Sequence, residues 1–540
     1  MINKNIFAAA ALLLLGSAFQ ANAQTDIAVS GTVKDIYGKP LSGVIVSANH
    51  KDLYITDQNG QYTATADRSD NLVFSLLGYK QAVVKAASGM EVVLEDDAHN
   101  LAQTVNLGYT KQYKEVLSDA VSTVYGETLE KSTYPRLQGT FSGLFSGLTT
   151  IESSFEPAYE ELSMYIRGIH TTHGSDLGVV IDGLYYNRYA TGDILYRISP
   201  EEVESVSILK DGASQALFGV AGASGIIVIN TKRGTPGKLK VGVNLSNTVQ
   251  QRSFIAQCFD SYDYALLRNE AGKNDGMGDY AYFSQEALDG FKAGDSDLYP
   301  NTDWQDLLVK KLSNQQKIAL DATGGTENVR FYTNFNVARQ GGFFKTDNEK
   351  YNSNNEKYRI NFRSNIDVKV NSWISMWMNL AGSVVKAHTP AGDTSHNTSA
   401  YNMITYMPST LYGPVTPTIT DDEGNVIDEG GLVTTTTNIG SSPYGTINRS
   451  GYGNATNTNI YGQAGMNFDL SFITPGLWVG GSVGYLSYIT STLSTTQTYA
   501  RYARTDDWSS LTFKQHGTTI DGTLSYSQGS ALYGYLSYKA

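Results

Sequence analysis

The sequence lacks the features that mark several common protein classes. One cysteine, Cys258, is present among 540 residues, so no disulfide can form within the chain. The formal net charge is −12, and lysine and arginine do not gather into a cluster that could contact phosphates, which argues against a nucleic-acid partner. No run reaches the roughly 18 apolar residues that a membrane-spanning helix needs. If the protein crosses a membrane, it must do so as strands.

The residues that are plentiful favour β-structure. Tyrosine occurs 36 times and glycine 53 times, while charged residues make up 17% of the chain. Aromatic and polar residues are mixed along most of the sequence, without the heptads of long amphipathic helices. The length favours several domains over a single core. The composition therefore predicts a multi-domain, mainly β protein.

The N-terminus has the pattern of an export signal. Lys4 precedes an apolar run at 6–15, and small residues follow up to Ala23. This order predicts a signal peptide over residues 1–23, with cleavage between Ala23 and Gln24. The protein is therefore expected to be exported.

Residues 24–97 are predicted to form a small antiparallel β-sandwich. Short apolar runs at 44–46 and 72–77 are separated by turn-forming pieces such as the D-Q-N-G at 57–60. The order of these pieces resembles the carboxypeptidase regulatory-like domain, which occurs on many exported proteins. By itself, this resemblance leaves the function open.

Residues 98–114 are predicted to be a polar connector. One partly apolar stretch interrupts it, formed by Thr104, Val105, Asn106, Leu107, Gly108 and Tyr109. An extended peptide of this kind can add a strand to the exposed sheet edge of a partner. A plain linker is the alternative.

The most specific pattern lies between residues 144 and 234. Y-I-R-G at 165–168, V-I-D-G at 180–183 and I-L-K-D at 208–211 precede a glycine-rich stretch and I-I-V-I-N-T-K-R-G at 226–234. These motifs, in this order, resemble the plug domain of SusC-like TonB-dependent outer-membrane receptors. The motif residues are Arg167, Gly168, Asp182, Gly183, Lys210, Asp211, Gly219, Gly222, Gly225, Lys232, Arg233 and Gly234.

The resemblance implies an α+β plug domain over residues 115–236 that sits inside a barrel and blocks it. Buried strands separated by glycine-rich turns agree with a compact fold inside a lumen. The resemblance also implies that the stretch from Thr104 to Tyr109 stands where such receptors have their TonB box. Asn106 and Thr110 depart from the V-V-V-G-Y-G usual there, and Ala221 stands where the plug usually has an arginine.

From residue 237 onward the pattern predicts membrane-spanning β-hairpins. Apolar and polar residues alternate at 359–370 and again at 460–472. Such segments match the roughly 9 to 11 residues that a tilted strand needs to cross hydrocarbon. Long connections at 254–312 and 386–457 alternate with short ones at 324–328 and 474–476, as expected for outer loops and periplasmic turns.

The number of predicted strands is too small for a closed barrel. Roughly eight to ten strand-length segments follow residue 237, whereas plugged transporters close with about 22 strands. The expected fold class is therefore mainly β: a small N-terminal β-sandwich, an α+β plug domain and an incomplete antiparallel transmembrane β-barrel over 237–540. The chain is expected to be the N-terminal portion of a receptor, from a fragment or an interrupted gene, and not to transport when expressed alone.

Two short motifs suggest enzymatic or metal-binding alternatives. G-x-S-x-G at 480–484 has the spelling of a nucleophile elbow, which needs a strand before it and a helix after it, whereas strand alternation continues here. His170 and His173 are spaced as H-x-x-H, without the further ligands that a metal site needs. We therefore expect neither catalysis nor a bound metal or cofactor.

The resemblance implies an outer-membrane transporter that imports a nutrient with TonB and a SusD-like surface lipoprotein. An oligosaccharide is the expected cargo, since tyrosine rings stack on the C–H faces of sugars, and a peptide is the alternative. The expected partners are TonB, the lipoprotein, a glycan or peptide ligand and outer-membrane lipid. A non-transporting secreted adhesin remains a further alternative, although it has no reason to contain the motifs between Tyr165 and Gly234.

Overall fold

The computed structural model describes residues 26–539 with internal gaps. The gaps fall at 37, 49–51, 68–69, 77–78, 96–103, 114–116, 155–160, 170–176, 187–193, 196, 253–256, 279–282, 295–296, 349, 392–399, 422, 437–439, 441 and 506–509. The chain divides into two compact units, one of residues 1–105 with 111–117 and one of residues 106–110 with 118–540.

The first unit contains a two-sheet β-sandwich. Its strands are β1 (Asp26–Asp35), β2 (Ile45–Ala48), β3 (Asp52–Ile55), β4 (Gln61–Asp67), β5 (Asn71–Ser75), β6 (Ala82–Lys85) and β7 (Met90–Leu94). One sheet has the order β4-β1-β7 and the other β3-β2-β5-β6. Apolar side chains from both sheets, including Val29, Val46, Leu72 and Phe74, form the core.

One strand pair corrects the sequence prediction. The pairs are antiparallel except that β1 runs parallel to β7, so the prediction of a wholly antiparallel sandwich is wrong there. A parallel pair needs a crossover, and the chain supplies one because it passes through the other sheet before β7. Further along, β8 (Thr104–Asn106) and β9 (Lys111–Tyr113) form a separate two-stranded sheet.

The second unit begins its regular structure with a five-stranded mixed sheet. Its strands are β10 (Val121–Tyr125), β13 (Gly178–Ile181), β14 (Leu184–Tyr186), β15 (Val203–Leu209) and β16 (Ile226–Thr231), in the order β10-β15-β16-β13-β14. A hairpin of β11 (Leu148–Ser154) and β12 (Glu161–Ile166) lies apart from it. The helices of this region are α1 (Gly126–Glu130), α2 (Gly212–Gln215) and the 3₁₀ segments Leu137–Phe141, Pro200–Glu202 and Ala216–Gly222.

The rest of the second unit is built on one long antiparallel sheet. Its strands are β17 (Gly237–Gln251), β18 (Leu312–Gly325), β19 (Val329–Gly341), β20 (Glu356–Lys369), β21 (Ile374–Pro390), β25 (Tyr452–Asp469), β26 (Trp478–Thr496) and β29 (Ser525–Lys539), paired in that order. Neighbouring strands are antiparallel throughout. The strands have 13 to 19 residues, more than a bilayer requires, so they extend past the hydrocarbon region.

The alternation predicted for these strands is present, and it separates two faces of the sheet. On β20, Arg359, Asn361 and Arg363 are buried, whereas Ile360 and Phe362 are exposed. The buried polar face points toward the five-stranded sheet, as the contacts below show, and the apolar face points away from the protein. The sheet thus has the two faces of an antiparallel membrane barrel wall, as predicted.

The long connections between these strands have structure of their own. Their helices are α3 (Ser261–Asn274), α4 (Gln285–Ala293), α5 (Trp304–Leu308), α6 (Ala400–Tyr406) and α7 (Pro443–Asn448). Their short strands are β22 (Ile419–Thr420), β23 (Val426–Asp428), β24 (Thr434–Thr435), β27 (Tyr502–Arg504) and β28 (Phe513–Gln515). Trp304, Phe344 and Ile447 belong to a common loop core. Among the helices of the described residues, none is long and apolar enough to cross a membrane.

Candidate functional site

The apolar stretch of the connector forms a tight turn. Thr104 and Val105 belong to β8, but Leu107 donates its backbone N–H to the carbonyl of Thr110 at 2.8 Å. The side-chain oxygen of Asn106 accepts from the N–H of Gly108 at 2.8 Å. These bonds close an Asx-type turn over residues 106–110, which the sequence had indicated as an extended strand.

The turn is seated on the five-stranded sheet and its helices. The Asn106 amide donates to the side-chain oxygen of Asn230 on β16, and Leu107 is 1% exposed. The ring of Tyr109 lies 4.7 Å from the ring of Phe218, and burial raises the pKa of the Tyr109 hydroxyl. The Lys539 ammonium lies 5.0 Å from the centre of the Tyr109 ring. The segment is therefore held by apolar burial, a hydrogen bond and ring contacts.

Gly108 permits this close approach. Its φ is +92°, and a Cβ at this position would lie 2.8 Å from the Phe218 ring and 3.3 Å from Val180. A side chain would therefore meet both a conformational and a steric penalty. The glycine lets residues 106–110 lie flat on the sheet.

Asp182 joins two strands of the five-stranded sheet to each other and to the long sheet. Its carboxylate accepts from the N–H of Thr231 at 2.9 Å and from the Thr231 hydroxyl at 2.7 Å. The amide of Asn379 on β21 donates to it at 3.2 Å, and Gln463 on β25 donates to the Asp182 carbonyl at 3.2 Å. Asp182 has a φ of +47°, a conformation that aspartate tolerates better than most residues, and Gly183 continues the turn at +85°.

The remaining predicted motif residues lie at turns and at strand ends. Arg167 and Gly168 form an exposed turn after β12, both with positive φ. Lys210 donates to the carbonyl and hydroxyl oxygens of Ser146 at 2.9 Å each, while Asp211 accepts from the N–H of Ala120 at 2.6 Å.

The glycine-rich stretch after Asp211 forms a compact helical turn. It contains Gly219 and Gly222, and Gly225 ends it with a φ of +105°. A Cβ at Gly225 would lie 2.4 Å from Cδ1 of Ile166. The stretch therefore brings β12 and β16 close together.

The last motif residues attach the region around the five-stranded sheet, here called the plug-like region, to the long antiparallel sheet. Lys232 forms an ion pair with Glu130, and Arg233 forms one with Asp367 on β20 at 3.1 Å. At Gly234, a Cβ would lie 2.3 Å from the backbone nitrogen of Phe331 on β19. The chain therefore leaves the plug-like region pressed against strands β19 and β20.

Two buried ion pairs were missed by the sequence analysis. Glu202 accepts from Nε of Arg363 at 2.6 Å, with side chains that are 2% and 3% exposed. Beside it, Glu201 pairs with Lys317 on β18. Burial by itself raises the pKa of the Glu201 carboxyl, but the Lys317 charge and the hydrogen bonds from Lys317 and Ser199 outweigh it and hold the pKa below its usual value.

A signal for these pairs was present but incomplete. Adjacent glutamates stand in S-P-E-E-V at 199–203, and the inward-facing positions of β18 and β20 contain cations. Alternation identifies the inward faces, whereas the choice of partners depends on how the plug-like region is seated.

The alternative motifs have no catalytic or metal geometry among the described residues. Ser482 of the G-x-S-x-G lies inside β26, paired with Gly465 on one side and Lys539 on the other, so the strand continues where an elbow would turn into a helix. His170 and His173, like Ala23 and Gln24 of the predicted cleavage site, lie outside the described residues.

A mixed sheet, bonded to the polar face of an antiparallel wall with an apolar outer face, is the architecture of a plugged membrane barrel. Residues 114–226 match the family TonB-dependent Receptor Plug Domain. TonB-dependent receptor P26 of Formosa agariphila is 32% identical over 350 residues, which are 63% of this chain and 33% of that protein. TonB-dependent receptor SusC of Bacteroides thetaiotaomicron is 27% identical over 329 residues, 60% of this chain and 31% of that protein.

The fold has a counterpart among solved structures. The structure of the RagAB peptide transporter resembles this chain with a TM-score of 0.50 and 18% identity, covering 78% of this chain and 53% of that one. The chain spans about a third of the length of the curated relatives it matches. These similarities support a SusC-like TonB-dependent receptor, with residues 114–226 as its plug domain. We call the region around the five-stranded sheet the plug and the long antiparallel sheet the barrel wall.

Proposed function

We propose that this chain supplies the plug and the first barrel strands of an outer-membrane transporter that imports an oligosaccharide, driven by TonB. The observation that carries the proposal is the seat of residues 106–110 on the plug. Leu107 and Tyr109 are held there by contacts that a pulling force on the connector can break. A segment that is bound to the plug and continuous with an exported connector suits a mechanical coupling role.

The position of residues 106–110 relative to the two ends of the barrel strands agrees with a coupling role. Lys539, which contacts Tyr109, pairs with Ser482, near the short connection between β25 and β26. In outer-membrane barrels, short turns face the periplasm and long loops face the exterior. This arrangement supports a periplasmic position of the segment, from which TonB could pull on it.

The proposed coupling segment keeps the bounds that the sequence indicated. We infer that Thr104 to Tyr109 are the TonB box, with Thr104 and Val105 already extended in β8. Pairing with TonB as a longer strand requires the turn at 106–110 to open. The contacts of residues 106–110 with the plug then determine how readily the TonB box can bind TonB.

The outer loops support a polar, ring-stacking cargo. Tyr406 on α6 is 78% exposed, and tyrosine faces stack on the C–H-bearing faces of sugars. A SusD-like lipoprotein on the outer side is the partner we propose for capture. The peptide-importing alternative differs in the cargo and not in the coupling.

We also infer that the predicted domain borders describe the precursor. They are a signal peptide at 1–23, a regulatory-like sandwich at 24–97, a connector at 98–114, a plug at 115–236 and barrel strands from 237. The match of 114–226 to the plug family supports the border between connector and plug, and it ends ten residues before the proposed border at 236.

The proposal is tested by uptake in cells that depend on the complete receptor. Labelled oligosaccharides and peptides of similar size are offered to cells with the receptor, without it, and without TonB. We expect receptor- and TonB-dependent entry of an oligosaccharide. Entry of peptides alone would show that the cargo is a peptide and not an oligosaccharide. Entry without TonB would overturn the coupling mechanism.

A further inference from the structure

A polar cavity of about 550 Å³ lies at the loop end of strands β18 to β20. Its lining includes Lys310, Asn314, Arg339, Asn354 and Glu356. Asn314, Arg339 and Glu356 occupy the positions of their strands that alternate with the buried, plug-facing ones. Most of the strand side chains that line the cavity therefore point to the outward surface of the barrel wall.

Strand register places this cavity at the border of the apolar belt. Arg339 pairs directly with Tyr358, which pairs with Lys386, so the three form one outward-facing row. Two residues closer to the short turns, the corresponding row contains Val337, Ile360 and Val384. A cationic and aromatic row thus stands immediately above an apolar one. This is the depth at which lipid head groups meet a barrel.

The charge around the cavity is positive. Arg339 is paired with Glu356 and also donates to the Tyr358 hydroxyl at 3.1 Å. Lys310 and Lys386 have no carboxylate within ion-pair distance among the described residues. Glu356 is the only carboxylate among the described lining residues, whereas Lys310 and Arg339 are the lining cations. Lys386 adds a third cation outside the lining, in the outward row of Arg339 and Tyr358.

The polar lining favours a ligand that contains hydroxyl groups in addition to a phosphate. Side-chain amides of Asn314 and Asn352 contribute polar groups next to the cations, while the Asn354 amide is held by the backbone of Phe344. Cations bind phosphate oxygens, and amides can bind the hydroxyl groups of a sugar. The combination matches a head group in which phosphate is attached to a sugar, with acyl chains lying along the apolar row below.

We propose that this cavity is a binding site for the phosphorylated head group of an outer-leaflet glycolipid. The site goes beyond the transport role and depends on it only for the outer-membrane location. Lys310 and Arg339 would hold phosphate, Lys386 would add to the local positive field, and the acyl chains would cover Ile360 and Val384.

The test measures lipid binding to the purified complete receptor by native mass spectrometry. The probes are bisphosphorylated lipid A, the same lipid after enzymatic dephosphorylation, and phosphatidylglycerol. The double variant Lys310→Gln with Lys386→Gln removes the two cations that lack a carboxylate partner in the described part of the chain. The matched control, Lys311→Gln with Lys273→Gln, removes two exposed cations outside the cavity.

We expect lipid A to bind more tightly than either other lipid, and the double variant to bind it about thirtyfold more weakly, as two interfacial cations predict. The control should keep the wild-type affinity. The variant Glu356→Gln removes the anion and should bind lipid A more tightly. Equal affinity for lipid A with and without phosphate, equal binding of phosphatidylglycerol, or equal behaviour of variant and control would each overturn the proposal. Uptake does not enter this measurement, so a failed transport role would not be confused with a failed lipid site.

Discussion

The carboxylate of Asp182 accepts two hydrogen bonds from Thr231, at 2.9 Å from its backbone nitrogen and 2.7 Å from its hydroxyl, although 49 residues separate the two in sequence. Asp182 closes the turn after β13, and Thr231 ends β16, which runs parallel to β13. The pair therefore ties together the two central strand ends of the plug where they meet Asn379 of the barrel wall.

Replacing Asp182 by alanine should destabilise the plug by about 2–4 kcal/mol, because three charge-assisted hydrogen bonds are lost and alanine is strained at positive φ. Asparagine tolerates this conformation and keeps one acceptor, so Asp182→Asn should lose much less. Thermal unfolding and protease sensitivity of the purified receptor measure both. Equal losses in the two variants would contradict the importance of the retained acceptor and of the tolerance for positive φ.

Glu202 and Arg363 give a second test of the contact between plug and barrel wall. Glu202→Gln leaves the buried guanidinium without its counter-charge, which should cost about 3–5 kcal/mol. The matched control is Glu204→Gln, since Glu204 is exposed on β15. The measurement is the loss of plug protection from protease in outer-membrane fractions. A control variant as sensitive as Glu202→Gln would contradict the importance of this ion pair.

The neighbouring Glu201 should make the stability depend on pH. Its pKa in the folded protein is depressed below the ordinary value of 4.5, so its stabilisation is present above that pH and is lost as the pH falls below it. The difference in melting temperature between wild type and Glu201→Gln should therefore be large at pH 7 and should shrink toward pH 4. A difference that grows on acidification would reverse the sign of the shift.

Leu107→Pro tests the coupling segment. Proline removes the N–H that Leu107 donates to Thr110 and restricts the backbone of Asn106, and it also removes a donor needed for strand pairing with a partner. Uptake should be abolished while ligand binding at the cell surface persists. Leu107→Met, which keeps an apolar side chain and the N–H, should transport normally. Unchanged transport by the proline variant would move the TonB box elsewhere.

Gly225 should tolerate no side chain. Its positive φ and the 2.4 Å approach of a Cβ to Ile166 predict that Gly225→Ala costs about 2–4 kcal/mol. A Cβ at Gly462 on β25 would meet no described atom within 4 Å, so Gly462→Ala is the control and should fold normally. Folded receptor in outer-membrane fractions, judged by heat-modifiable migration, distinguishes the two. Similar yields of folded receptor for the two variants would contradict a steric clash between a side chain at position 225 and Ile166.

The barrel strands show how far local pattern reaches. The alternation of Arg359 and Ile360 predicts which side of β20 faces inward, because the two faces of a strand follow from a period of two residues. The long connections were predicted as loops, and their helices α3 and α4 were missed. In α3 the apolar residues do not recur on one face, so periodicity could not reveal it.

The plug motifs show the same division at a finer scale. The order of V-I-D-G and I-I-V-I-N-T-K-R-G was sufficient to suggest a plug, yet nothing local to Asp182 names Thr231 as its partner. Similarly, the apolar stretch at the connector suggested an extended strand. The Asn106 turn formed because a hydrogen bond to Asn230 and the burial of Leu107 stabilise it.

By itself, the sequence determined the mainly β class and the alternating faces of the barrel strands, since both depend on composition and short periods. It also determined that residues 115–236 resemble a plug domain, because that resemblance depends on the order of the motifs. Only the tertiary structure decided that Glu202 meets Arg363, that residues 106–110 lie folded on the plug, and that Arg339, Tyr358 and Lys386 stand in one outward row. Those relationships depend on strand register and on how the plug is seated. Both arise from contacts between residues far apart in the chain, which no local pattern encodes.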